Sequence, residues 1–154
     1  MNVGTATRDR FVAGALASLF AASLFVPALE YPGRGDSPFA PEGPISGIKC
    51  LAALPFVAFV PNWWANPLFL VGIIRLSQGN GRAPLWVGKT AVVLAITAPW
   101  VVGKPLVQWL HGSRFVTFPL RSGYFAWLSA IVGLAAYSWF ADRTAIPPSP
   151  PSDR

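Results

Sequence analysis

The chain is poor in the residues that most soluble enzymes use for chemistry. Its 154 residues include one cysteine, one histidine and six acids, and 12% are charged, against roughly a quarter in an ordinary soluble domain. A lone Cys50 excludes an internal disulfide and reads as a small apolar residue near a helix end. Zinc needs several N, S or O ligands at one point, and Cys50 and His111 stand in separate segments, so no metal site is expected. The acids are Asp9, Glu30, Asp36, Glu42, Asp142 and Asp153. None lies deep in an apolar run, which leaves no evident intramembrane proton relay. Dinucleotide, Walker and metalloprotease patterns are absent, so no cofactor is expected. The net charge of +6 comes from twelve scattered Lys and Arg without a basic stripe, which points to anionic lipid headgroups and not to nucleic acid.

Apolar length is what the chain has instead. It is 53% hydrophobic, with a mean hydropathy of +0.48. Four runs lack charge or nearly so: 11–29, 50–74 within a span of about 48–76, 85–103 with only Lys89 inside, and 122–141. Each is long enough, at about 1.5 Å per helical residue, for a hydrocarbon core of about 30 Å. They are apolar all round, unlike surface helices of soluble domains, and show no period-two alternation of the kind a membrane barrel needs. The expected fold is an all-α polytopic membrane protein: four transmembrane helices, a proline-kinked second span and a short interfacial helix in the third loop.

The run after Arg8-Asp9-Arg10 resembles a signal peptide in order but exceeds the usual 7–15-residue apolar region, so an uncleaved first span is expected. The segment 30–47, with Pro32, Pro38, Pro41 and Pro44 among glycines, is an aqueous loop. The Pro-rich tail 144–154 is expected to be disordered. With an inside N-terminus, seven of the twelve basic residues fall on the inner side and five on the outer. This bias favours both termini in the cytoplasm of a bacterial inner membrane. Gly14, Ser18 and Ala22, beside Ala13, Ala17 and Ala21, form small-residue ridges in the first span, and Ser129 and Gly133 repeat the spacing in the fourth. Such ridges predict a membrane-protein partner or a homo-oligomer.

The most unusual stretch is Pro61-Asn62-Trp63-Trp64-Ala65-Asn66-Pro67, inside the uncharged second run. Pro55, Pro61 and Pro67 each remove a backbone donor and disturb the carbonyl four residues earlier. A single helix over 48–76 would measure about 40 Å, so it must tilt, kink or break. One kinked span is expected, in preference to two half-helices. Asn62 and Asn66 share a helix face if the helix continues, and can bond another span or the freed carbonyls. With the indoles of Trp63 and Trp64 as walls, they are the candidate ligand- or partner-binding group. Gln78-Gly79-Asn80-Gly81 is a turn. In 104–121, Trp109, His111 and Arg114 mark the interfacial helix.

Three functions follow. The first is a non-enzymatic membrane protein that binds another membrane component, as an accessory subunit, assembly factor or protective factor. The second is a small oligomeric transporter or channel with the Asn62–Asn66 break lining its path. The third, a lipid enzyme, has only His111 and Arg114 to work with and ranks last, so no catalytic residue is expected.

Overall fold

The computed structural model describes residues 3–30, 44–52, 61–80, 85–101 and 120–144. Its elements are α1 (Val3–Phe25), β1 (Pro27–Glu30), β2 (Pro44–Ser46), α2 (Gly47–Ala52), a 3₁₀ turn (Pro61–Trp64), α3 (Ala65–Ser77), α4 (Leu85–Val101) and α5 (Ser122–Arg143). Most described residues are helical, as the apolar runs require. One helix among them, Ser122–Arg143, is long and apolar enough to cross a membrane, and a shorter apolar helix covers Leu85–Ala98.

The four long helices alternate in direction. Arg8 bonds Tyr137 and the Cα side of Gly133 faces Leu16, so α1 and α5 run antiparallel. Phe20 stacks on Phe69 with centroids 4.7 Å apart, and Arg10 reaches Ser77, which sets α3 antiparallel to α1. Gly88 faces Ala135 and Tyr124 bonds Ala95, which sets α4 antiparallel to α5. The result is an up-down-up-down bundle with α3 and α5 parallel across it. Its core is Ala13, Phe20, Ala65, Phe69, Leu76, Ala91, Ala95, Ala130, Ile131 and Leu134. Half of these are alanine, so the helices approach closely through small side chains. A Cβ on Gly88 would lie 3.0 Å from the Ala135 Cα, so a side chain there would press on the α5 backbone at the α4–α5 crossing.

Two boundaries differ from the sequence reading. Helix α1 begins at Val3 and not near residue 11, because Arg8, Asp9 and Arg10 find partners on neighbouring helices and continue the helix. It ends at Phe25 and not at 29: Pro27 disfavours helical geometry at the residue before it. Pro27–Glu30 then pairs antiparallel with Pro44–Ser46, with an irregularity between Pro27 and Leu29. The ends of the expected outer loop are therefore a small ladder. The Ala28 carbonyl accepts the Arg121 N–H at 2.9 Å, Leu29 bridges Leu120, and Arg121 pairs with Glu30. These contacts tie the start of α5 to the end of α1.

Among the described residues of the second run, Pro61–Trp64 form a 3₁₀ turn and not α-helix. The 3₁₀ turn leads directly into α3, placing Pro61 in the turn and Pro67 in the first turn of the α-helix, where a missing N–H is tolerated. Helix α3 closes with Gly79 at φ 77°, Gly79 N–H to Leu76 O at 2.9 Å and Asn80 N–H to Arg75 O at 3.2 Å. That is a Schellman arrangement, and it accounts for Gln78-Gly79-Asn80 as a turn. Pro55, the segment 104–119 with Trp109, His111 and Arg114, and the tail from 145 onward lie outside the described residues.

Candidate functional site

The Asn62–Asn66 group sits where the 3₁₀ turn and the start of α3 meet α4 and α5. Asn62 is buried and donates from Nδ2 to Leu94 O at 2.6 Å and to Thr97 Oγ1 at 2.7 Å. The Thr97 hydroxyl lies 2.9 Å from Val93 O and 3.1 Å from Leu94 O, so its proton goes to its own helix and its oxygen is left to accept from Asn62. Both groups facing the amide are acceptors. This fixes the Asn62 orientation with nitrogen toward α4, and turns Oδ1 away.

Asn66, one helical turn later, spends both ends of its amide. Its Oδ1 accepts the Trp127 indole N–H of α5 at 2.8 Å, and its Nδ2 donates to Trp63 O at 3.3 Å. The Trp63 carbonyl is the one four residues before Pro67, which has no N–H to offer it. The same repair recurs on α4. Tyr124 Oη donates at 2.9 Å to Ala95 O, the carbonyl four residues before Pro99. Side chains thus supply the donors that two prolines withhold. In a medium without water, carbonyls next to a proline call for donors of this kind.

The two indoles divide their roles. Trp63 is half-buried and Trp64 is 52% exposed, with their rings edge-to-face at 5.8 Å. Among the described residues, Asn62 Oδ1 and Trp63 Nε1 are buried without a hydrogen-bond partner, as is Ser138 Oγ. The cluster can therefore bind three helices to one another through amides, an indole and a phenol. It contains no acid, no base and no nucleophile paired with either. No group of three or more His, Cys, Asp or Glu occurs among the described residues.

A second polar group, at the opposite end of the bundle, was not visible in the sequence. Asp9 is 4% exposed and accepts from Tyr137 Oη at 2.6 Å; Arg8 Nε donates to the same phenol oxygen at 3.0 Å and its guanidinium lies 5.6 Å from the ring centre. Asp9 precedes the apolar run and Tyr137 reads as a belt residue, so nothing local pairs them. The antiparallel α1–α5 packing does. Trp127, Tyr124 and Thr97 were also missed as partners of the amides. The three-residue spacing of Tyr124 and Trp127 on one helix face was the available signal.

No family model, no curated protein and no solved structure matches this chain.

Proposed function

We propose that the protein is a four-span membrane protein that works by binding another membrane component, as an accessory, assembly or protective factor. The observation that carries the reading is the outer face of α1. Phe11, Gly14, Ala15, Ser18, Leu19, Ala22 and Phe25 are all exposed, with Phe11 at 77% and Phe25 at 74%, and a Cβ on Gly14 would meet nothing within 4 Å. The companion ridge turns inward at Ala13. A shallow groove floored by Gly14, Ser18 and Ala22 and bracketed by two phenylalanines suits a helix of a partner, because small residues admit close backbone approach.

Lipid immersion is supported by the bundle's exterior. Only 28% of the apolar window in α5 is buried, unlike the core helix of a soluble protein. Leu70, Val71, Ile74, Val93, Ile96, Phe125 and Val132 are exposed on three helices, and exposed apolar side chains gathered on neighbouring elements mark a membrane or partner contact. Helices α1 and α5, at 23 and 22 residues, reach about 33 Å, and α3 with its 3₁₀ turn reaches about 28 Å. The bundle gathers Arg8, Arg10, Arg75, Lys89 and Arg143 at one end, with Lys49 and Arg121 at the other, which favours cytoplasmic termini. Asn62 and Asn66 bond packed helices, and this favours a binding role over a path lined by their amides.

Cysteines placed at Gly14 and Ser18 in a Cys50→Ser background should cross-link to a partner in intact membranes, while one at the buried Ala13 should not. Gly14→Leu should abolish co-purification without lowering thermal stability. A chain that stays a solitary monomer in mild detergent and shows no cross-link would overturn the reading.

A further inference from the structure

The two arginines that flank Asp9 are tethered in the same manner. Arg8 donates from Nε to Tyr137 Oη at 3.0 Å, and Arg10 donates from Nε to the Ser77 carbonyl at 3.3 Å; both side chains are exposed. Among the described residues neither forms an ion pair, and neither bonds through its terminal nitrogens. A guanidinium offers five N–H donors in a planar fork. Fixing the Nε side leaves the four terminal N–H groups directed away from the tether, in the geometry that takes two phosphate oxygens at once.

Among the described residues, no carboxylate lies within ion-pair distance of either guanidinium. Asp9 is turned into the bundle and engaged by Tyr137, while Arg143 lies over the Trp139 ring at 3.9 Å. Trp86 and Trp139 are exposed at the same end, the level at which indoles sit among headgroups. Phe11, one turn from Arg8 on the same face of α1 and highly exposed, supplies apolar surface immediately below the fork.

We propose that the Arg8 and Arg10 forks are phosphate sites for anionic phospholipid, one along each edge of α1, in the leaflet that faces this end of the bundle. The forks hold phosphodiester oxygens and the exposed side chains below them, Phe11 first, contact the acyl chains. The proposal rests on the membrane reading above and adds headgroup selectivity to it.

The test exchanges purified protein against vesicles containing equal phosphatidylglycerol and phosphatidylcholine, then counts retained lipid by native mass spectrometry. The wild type should retain phosphatidylglycerol preferentially. Arg8→Lys with Arg10→Lys keeps the charge, loses the forks and should lower retention roughly tenfold. Arg10→Gln, which gives up only the contact with Ser77, should fall several-fold, whereas Arg75→Gln, an equal charge change on α3, should stay within about twofold. Equal retention by the double lysine variant, or equal losses for Arg75→Gln and Arg10→Gln, would overturn the clamp and leave general attraction. Displacement of the lipid by inorganic phosphate at matched concentration would reassign the forks to free anions and overturn the lipid site. Recovery of the protein as a soluble species after carbonate extraction would instead overturn the membrane reading beneath it.

Discussion

Asn62 gives the sharpest prediction because its amide faces two acceptors. In Asn62→Asp, one of the carboxyl oxygens replaces the nitrogen that now bonds Leu94 O at 2.6 Å and Thr97 Oγ1 at 2.7 Å. The bond to Leu94 O becomes an acceptor–acceptor contact, and Thr97 can answer the carboxylate only by turning its proton away from its own helix, at a residue that is 4% exposed. Lost interhelical bonds in membrane proteins are worth about 0.6 to 2 kcal/mol each, and leaving a buried charge without a partner brings the whole cost to about 3 to 5 kcal/mol. Asn62→Leu loses the same donors but also removes Oδ1, the buried acceptor without a partner. The second effect offsets part of the first, leaving a cost of about 1 kcal/mol. Unfolding in mixed micelles at increasing SDS, followed by circular dichroism, measures both. The aspartate variant should be less stable than the leucine variant by at least about 2 kcal/mol. Equal stabilities, or a more stable aspartate, would mean that the amide does not face Leu94 and Thr97.

Three further outcomes follow from the packing and the polar contacts. Gly88→Ala should lower stability by about 1 to 3 kcal/mol, since the new methyl would lie 3.0 Å from the Ala135 Cα, while Gly14→Ala on the open face should change it by less than about 0.5 kcal/mol; SDS unfolding reads both. Tyr124→Phe should cost about 1 to 2 kcal/mol by stranding Ala95 O; in a Pro99→Ala background, which restores a helical N–H, the same change should be much smaller, and a double-mutant cycle gives the difference. Tyr137→Phe should destabilise more than Asp9→Asn, because the first leaves a buried carboxylate without its phenol donor and the second keeps an acceptor for it; thermal melts of the two variants in one detergent decide.

The helical character of the fold was legible because apolar length is a local property of the sequence. Its ends were less so. The start of α1 at Val3 depends on Arg8, Asp9 and Arg10 having partners more than sixty residues away, and no window of sequence contains that information. The pairing of Pro27–Glu30 with Pro44–Ser46 was hidden for a related reason. Proline-rich flanks read as loop, and the ladder exists only where the end of α1 and the start of α2 meet, with Gly47 against the Leu24 backbone.

At the candidate site, the sequence singled out Asn62 and Asn66 for a reason of chemical scarcity. Amides and prolines are costly in an apolar run unless something receives them. It could not say what receives them. Asn66 to the Trp63 carbonyl is a local bond that Pro67 makes foreseeable, whereas Asn62 to Leu94 and Thr97, and Asn66 to Trp127, exist only once α3, α4 and α5 are packed. Asp9 stands before the apolar run, and nothing local in the sequence gives it a partner. Helix α1 instead carries it two turns inside its own N-terminus and against Tyr137.

The central claim is that the exposed apolar faces of this bundle meet lipid, and cysteine accessibility tests it most directly. In a Cys50→Ser background, single cysteines replace Leu19, Leu70, Val93 and Val132, which are 39%, 51%, 61% and 42% exposed on four different helices. Sealed membranes and detergent-solubilised protein are then treated with a membrane-impermeant maleimide. The account predicts that all four stay unlabelled in intact and in opened membrane vesicles, because hydrocarbon, or at Leu19 the partner helix, covers them, while a cysteine at Gln78 in the inner turn labels once the vesicles are opened. Ready labelling of the four positions in opened vesicles, or recovery of the chain in the soluble fraction, would contradict it.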